Sequence, residues 1–381
     1  MNIVALKETA AGERRVGLTP QVVDKLVRLG MSVTLETGIG DTLYLADAAY
    51  EKVGATFESD RAALLQRADA LVAVNKPSSD VIGGLREGAI AVSFLDPFRS
   101  PDTVRALADA KVSAFCMELI PRSTYAQKMD ALSSQASLAG YAAVIIAAER
   151  IDKSLPMMST PAGTIPPARV FVVGAGVAGL QAIATSKRLG ARVEAYDTRP
   201  VVKEQVQSLG ARFVEIDVGE TGQTEQGYAK ALTEEQLEMQ RKQMAKICAG
   251  ADIIVTTAQV FGRPAPKIIS AEMVAGMRPG SVIVDLAAST GGNVEGTKAD
   301  AEVRSDNGVL IVGLGNFPAE VARDASQMFA SNVYYLLEHA FDKEAGTLKL
   351  DTEDDVVGAA LLTHEGQVRD ERVRSAVEGS K

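Results

Sequence analysis

Gly174-Ala175-Gly176-Val177-Ala178-Gly179 is the run in this sequence whose residue types and spacing most directly imply chemistry. Three glycines so spaced, between an apolar stretch and a helix-like one, make a phosphate cradle. Gly174 lets the chain turn tightly, Gly176 lets the backbone approach a pyrophosphate, and Gly179 lets the helix pack closely on the strand. The helix start at Val177 and Ala178 would face the phosphates with unpaired N–H groups and the positive end of its dipole. The glycines alone are weak evidence. Here a second apolar strand ends at Asp197, about 20 residues on, where a carboxylate can accept from the ribose hydroxyls of an adenosine.

Asp197 also separates two cofactors. A carboxylate beside the ribose 2′-hydroxyl repels a 2′-phosphate, which favours NAD(H) over NADP(H). Arg199, past Thr198 in the same strand-end turn, is a counter-signal, because an arginine there can hold a 2′-phosphate; it reads better as a solvated charge. Later strand ends, Thr256-Thr257-Ala258-Gln259 and Asp285-Leu286-Ala287, should line the same crevice. Asp285 is open to a ligand role or to capping backbone groups. Residues 217–232 are a Gly/Gln/Thr-rich loop around Tyr228, too long for a simple connection, and read as a lid or as an idle insertion.

Dehydrogenases that remove a proton along with a hydride need a poised acid or base, often histidine. The chain has two histidines, His339 and His364, both in its tail and outside the glycine-rich segment. Lysine or aspartate could substitute. Direct hydride transfer between two nicotinamides would need no acid or base.

The elements that must position these residues alternate. Apolar runs at 3–6, 32–35, 70–74, 89–94 and 112–116 read as strands, and 20–29 and 101–110 as helices between them, the pattern of a parallel sheet covered on both faces. Residues 119–140 break the rhythm with Pro121, Arg122, Gln127, Asp130 and Ser133-Ser134-Gln135; a helix over 138–150 and a Pro-rich linker over 156–167 follow. From 168 the rhythm restarts with strands at 169–173, 192–196, 212–216, 252–256, 282–285 and 309–312 and helices at 177–189 and 201–209. A helix over 319–341 leads to a hairpin of 347–350 with 356–362. That tail is too small to be a domain and should pack on the first one. The predicted fold is α/β: two Rossmann-like, doubly wound parallel-sheet domains with a cleft between them, 1–133 plus 321–381 and 134–320.

Bulk properties agree with this picture and exclude others. At 381 residues the chain is too long for one ordinary core, and 46% hydrophobic with 23% charged residues is globular composition. A net charge of -9 argues against nucleic-acid and anionic-membrane binding. Cys116 and Cys248 lie far apart, without metal-ligand or disulfide spacing, so no metal is expected. The longest apolar run, 138–148, is about half the length of a bilayer span, and the start reads as a strand followed by charge, not a signal peptide; no direct membrane insertion is expected.

Three segments resemble a known family. KETAAGERRVGLTP (7–20), PRSTYAQKMDALSSQASLAGY (121–141) and GTIPPARVFVVGAGVAGLQAIATSKRLGA (163–191) are similar to the NAD(H)-binding component of proton-translocating nicotinamide nucleotide transhydrogenase, with agreement at 278–287 and 313–318. The likeness covers nearly the whole chain, and 121–141 is its most specific stretch. It implies a homodimer of two-domain subunits that passes hydride directly to NADP(H) on a separate domain, with a transmembrane proton-channel subunit coupling the exchange to proton flow. The chain would then be cytoplasmic and peripheral to the membrane through its partners, and could be a naturally separate subunit. Arg122, Gln127, Asp130 and Ser133 match the family's nicotinamide-positioning residues: Arg122 pairs with Asp130, both with Ser133 hold the carboxamide, and Gln127 reaches toward NADP(H). Tyr228 matches the tyrosine of the mobile loop. The chain departs from the family pattern at Ser289-Thr290 and Leu232.

The nearest rival is alanine dehydrogenase, similar in architecture and at Arg15, which there would bind a substrate carboxylate. Its catalytic histidine, substrate lysine and catalytic aspartate would fall near Phe94, Ala73 and Ser289, and none is present. Arg15 then becomes a structural ion pair or meets an Asp/Glu partner in the domain interface. A non-catalytic NAD(H) sensor is the rival of another class; the intact Arg122, Gln127, Asp130, Ser133 set argues against it.

Overall fold

The computed structural model describes residues 1–216, 234–259 and 262–379. They form two compact units, one of Met1–Gln135 with Pro318–Lys381 and the other of Ala136–Phe317.

In the first unit, eight strands run in the order Gln367–Val368, Leu361–His364, Ser113–Cys116, Ile90–Ser93, Ala70–Val72, Asn2–Ala5, Ser32–Glu36 and Thr56–Glu58. The last six are parallel, and the two from the tail pair antiparallel, so that Leu361–His364 alone runs against the rest. Side-chain alternation fills both faces: Ile3 and Ala5 point into one core, Val4 and Leu6 into the other. The Pro20–Leu29 helix starts on a proline and stops at Gly30, whose φ of 103° lets its N–H return to the carbonyls of Leu26 and Val27.

The tail differs from expectation. Thr347–Leu348 pairs with Phe341–Asp342, not with residues 356–362. The latter begin with the short Val357–Ala360 helix, after which Leu361–His364 joins Ser113–Cys116. The partner strand lies far back in the chain, where local periodicity cannot point to it.

In the second unit, the sheet order is Arg212–Phe213, Arg192–Tyr196, Arg169–Val173, Ile253–Thr256, Val282–Asp285, Leu310–Gly313 and Ala301–Arg304, parallel except for the last. The order reverses between Arg169–Val173 and Ile253–Thr256, so their carboxyl ends flank the switch-point crevice. Val170 and Val172 pack on one face, Phe171 and Val173 on the other.

Two segments at the start of this unit correct the sequence reading. The helix expected from 138 runs Ala131–Arg150, because Asp130 caps it by accepting the Ser133 N–H at 2.9 Å. By length and composition this helix could cross a membrane, but Ala142, Ala143, Val144 and Ala147 are buried in the core of the second unit. The expected Pro-rich linker carries an exposed antiparallel hairpin, Met158–Thr160 with Gly163–Ile165.

Candidate functional site

The glycine turn follows Arg169–Val173 and opens the Val177–Arg188 helix. Each glycine has its own reason. Gly174 has a φ of 96°, and a Cβ on it would lie 2.5 Å from the Thr257 Oγ1. On Gly179 a Cβ would lie 1.9 Å from the Gly174 carbonyl oxygen, so helix and strand meet with no room for a side chain. On Gly176 it would meet nothing within 4 Å. That open side faces the helix start, where Leu180 N–H closes the first turn on the Gly176 carbonyl at 2.8 Å. The Val177 and Ala178 N–H groups lie ahead of that turn and have no intrahelical acceptor. An open, glycine-walled concavity with free amides fits the pyrophosphate of a dinucleotide. Ala175 is buried beneath it, and Gly140 of the preceding helix packs so tightly on Ala178 that a Cβ would come within 2.1 Å of its carbonyl oxygen.

Asp197 lies at the end of Arg192–Tyr196 and accepts the Ala175 N–H at 2.7 Å, tying the second strand end to the glycine turn. Arg199 is exposed, as expected of a solvated charge, and it also pairs with Asp197. Its Nε and Nη2 donate to the two Asp197 oxygens at 3.0 and 2.9 Å, and its own N–H adds a third bond at 2.8 Å. Burial opposes ionisation of Asp197, but the guanidinium and these amides outweigh it and hold the carboxyl below the usual range. Thr198 is exposed beside them.

Thr257, Ala258 and Gln259 follow Ile253–Thr256 at the crevice. Thr257 Oγ1 donates to the Val173 and Gly174 carbonyls at 3.3 and 3.2 Å. Gln259 Nε2 donates to the Leu286 carbonyl at 2.9 Å. Asn293, which the sequence reading did not single out, is fully buried, accepts the Ala258 N–H and donates to the carbonyls of Ala258 and Pro266. Its signal was the adjacent Gly291-Gly292, whose φ values of 103° and 80° turn the chain back under the crevice. Asp285 takes the capping role: fully buried, it accepts from Thr256 Oγ1, the N–H groups of Ala287, Asn293 and Val294, and Thr297 Oγ1. Tyr228 and Leu232 lie outside the described residues.

The polar segment of the first unit places its candidates unequally. Ser133 Oγ donates to the buried Asp130 carboxylate at 2.6 Å. Arg122 and Gln127 are exposed, and among the described residues no ion pair joins Arg122 to Asp130. Asp130 turns to the helix it caps, so its oxygens are taken up by Ser133. Arg15 is the structural ion pair: its Nη2 lies 2.7 Å from Glu13, Nη1 donates to Gln135 at 2.8 Å, and Asn75 donates to both Glu13 and Glu8.

Against this geometry the comparisons are decisive. The alanine dehydrogenase/PNT N-terminal domain matches residues 4–139 and the alanine dehydrogenase/PNT C-terminal domain matches 143–371. The chain belongs to the alanine dehydrogenase/PNT family. Within that family it is 44% identical, over 97% of its length, to the first portion of NAD(P) transhydrogenase subunit alpha of Rhodospirillum rubrum, 97% of which is covered. Alanine dehydrogenase of Mycobacterium tuberculosis is 28% identical over 96% of this chain and 94% of its own. The transhydrogenase crystal structure from Sinorhizobium meliloti superimposes with a TM-score of 0.86 at 45% identity, covering 96% of this chain and 99% of that one. The two Rossmann-like parallel-sheet units are thus a shared feature of this alanine dehydrogenase/PNT member and its relatives.

Proposed function

We propose that this chain is the NAD(H)-binding subunit of a proton-translocating transhydrogenase, exchanging hydride directly with NADP(H) held on a partner domain. The carrying observation is the 44% identity, end to end, to a transhydrogenase alpha subunit, set against 28% to an alanine dehydrogenase. The residues support the same choice: the histidine, lysine and aspartate of a deaminating enzyme would fall near Phe94, Ala73 and Ser289, and none of these is such a residue.

When bound, NAD(H) supplies the carbon that gives or takes the hydride. The chain's own residues bind and orient. The Val177 and Ala178 amides take the pyrophosphate, and Asp197 accepts from the adenosine ribose. Asp130 holds Ser133, whose Oγ keeps lone pairs to accept from the carboxamide, and Arg122 completes the set. Exposed Gln127 reaches toward the partner's nucleotide. None of these groups moves a proton, so their contribution is orientation, which is what a direct transfer between two rings requires.

The exposed hairpin supports a homodimer, since it presents Met158 and Ile165, 47% and 48% exposed, with Met157 beside it at 64%. A separate transmembrane subunit would couple the exchange to proton flow, with this chain peripheral on the cytoplasmic side. The test is hydride transfer from NADPH to an NAD(+) analogue, with this chain alone and then with the family's NADP(H)-binding domain. Activity in the mixture only, slowed by Arg122→Ala or Gln127→Asn, supports the reading. NADH binding without activity in either case overturns it.

A further inference from the structure

The segment that carries Arg122, Gln127 and Asp130 is fastened along one face of a single helix, Ala322–Ala340. Asn332, Tyr335 and His339 lie three and seven residues apart, a spacing that puts them on one side. Asn332 Nδ2 donates to the Lys128 carbonyl at 2.8 Å, and its Oδ1 accepts from Ser134 Oγ at 2.7 Å. The Lys128 ammonium sits 4.8 Å from the centre of the Tyr335 ring. These contacts hold the end of the segment near Asp130.

The other end has a separate fastening. Tyr125 lies between Arg122 and Gln127, and its ring is 62% exposed, so packing alone does not fix it. Its hydroxyl lies 3.0 Å from His339 Nδ1, and the two rings meet edge to face at 5.5 Å. His339 Nε2 is 3.0 Å from both oxygens of Asp354. Asp354 Oδ1 in turn accepts the Val356 and Val357 N–H groups at 2.9 and 2.8 Å, so its carboxylate cannot swing. In the neutral imidazole, the two carboxylate oxygens on Nε2 place the proton there, which leaves Nδ1 to accept from the tyrosine O–H. In that state the array runs in one direction, from the Tyr125 hydroxyl through the imidazole to a backbone-anchored carboxylate.

We propose that Asp354 and His339, acting through Tyr125, are positioning residues for hydride transfer: they set the conformation of the segment that presents Arg122 and Gln127. The proposal rests on the transhydrogenase reading above. It assigns a task to the tail and to a histidine with no role in proton chemistry. None of the three touches the reacting atoms; they narrow the range of loop conformations, so their loss reduces the fraction of bound complexes poised to react.

The experiment is a double-mutant cycle on the full-length chain, mixed with the NADP(H)-binding domain. Tyr125→Phe keeps the ring contact and removes one hydrogen bond; it should lower kcat roughly fivefold, the worth of one such bond. NADH affinity should stay within about twofold, because the pyrophosphate and ribose contacts are elsewhere. His339→Gln, which can still donate to Asp354 but no longer accepts from Tyr125, should be as slow as Tyr125→Phe, and the double variant no slower than either. His339→Asn, whose amide oxygen can stand in for Nδ1, should recover some of the rate. Additive losses, a wild-type kcat in Tyr125→Phe, or a loss that appears only in KM would each overturn the proposal. Arg122→Ala is run alongside: if it is slow while Tyr125→Phe is not, the positioning proposal alone fails. If both match wild type, the role assigned to the segment fails with it.

Discussion

Arg199 grips Asp197 with two side-chain N–H groups and one backbone N–H, at the strand end where the carboxylate would meet a ribose. The guanidinium therefore keeps Asp197 ionised and aligned. It also stands ready where a 2′-phosphate would lie if the carboxylate were gone. Asp197→Ser is expected to weaken NADH binding roughly tenfold, the loss of one or two charge-assisted bonds, and to bring NADPH affinity closer to that of NADH. Titrating the fluorescence of each reduced nucleotide with protein checks this. An unchanged NADH affinity would remove Asp197 from the site.

The glycine turn allows a sharper separation of folding from binding. A Cβ on Gly179 would collide with the Gly174 carbonyl, whereas one on Gly176 meets open space. Gly179→Ala should therefore lower Tm by several degrees and abolish NADH binding together. Gly176→Ala should leave Tm unchanged within about a degree and still weaken NADH binding at least tenfold, because the methyl would occupy the pyrophosphate's place. If Gly176→Ala bound NADH normally, the open concavity would not be the phosphate cradle.

How far the sequence alone reaches follows from where the partners of each segment lie. Arg169–Val173, Arg192–Tyr196, Val282–Asp285 and Pro20–Leu29 are legible at their bounds, because each is a buried periodic run closed by glycine, proline or a charge within one or two residues. The Ala131 helix start is not, because its first turns are polar, and Ser133, Ser134 and Gln135 satisfy themselves on Asp130, Asn332 and the Ala325 carbonyl. Partners some 200 residues away, as for Ser134 and Asn332, leave no local pattern. At the candidate site the glycine turn is legible since backbone sterics dictate residue type. The Arg199 grip on Asp197 and the Asn293 support of Ala258 are not, since each depends on side-chain direction.

The Glu13–Arg15 pair gives a pH dependence with a definite sign. Burial opposes ionisation of Glu13, yet the Arg15 guanidinium and Asn75 outweigh it and hold the carboxyl below its ordinary 4.5. A carboxyl lowered by folding contributes stability that is complete above its unfolded value and is lost as pH falls through the folded one. Glu8, raised by burial, has the opposite sign, so comparison with a Glu13 variant is needed to isolate the effect. Glu13→Gln leaves Arg15 buried without its counter-charge and should cost about 3–5 kcal/mol at neutral pH. That gap should narrow steadily as urea unfolding is repeated below about pH 4.5. A gap that stays constant down to about pH 3 would mean Glu13 is not the group responsible.

Asp285 is open to two readings on sequence alone, and they diverge under one substitution. Its Oδ1 accepts from Thr256 Oγ1 and the Ala287 N–H; its Oδ2 accepts from the N–H groups of Asn293 and Val294 and from Thr297 Oγ1. Asparagine is the same size, but either orientation turns an NH2 group toward at least one backbone N–H that cannot turn away: that of Ala287 on one side, those of Asn293 and Val294 on the other. Each buried donor so stranded costs about 1–3 kcal/mol, so Asp285→Asn should destabilise the protein by at least about 1 kcal/mol in urea. NADH affinity should fall as well, and for an indirect reason: Asn293, displaced, no longer holds the Ala258 backbone at the crevice. A variant that unfolds like wild type but fails to bind NADH would instead make Asp285 a direct nucleotide contact. One that does both like wild type would leave five hydrogen bonds on a buried carboxylate without consequence, which the desolvation cost of such a group does not permit.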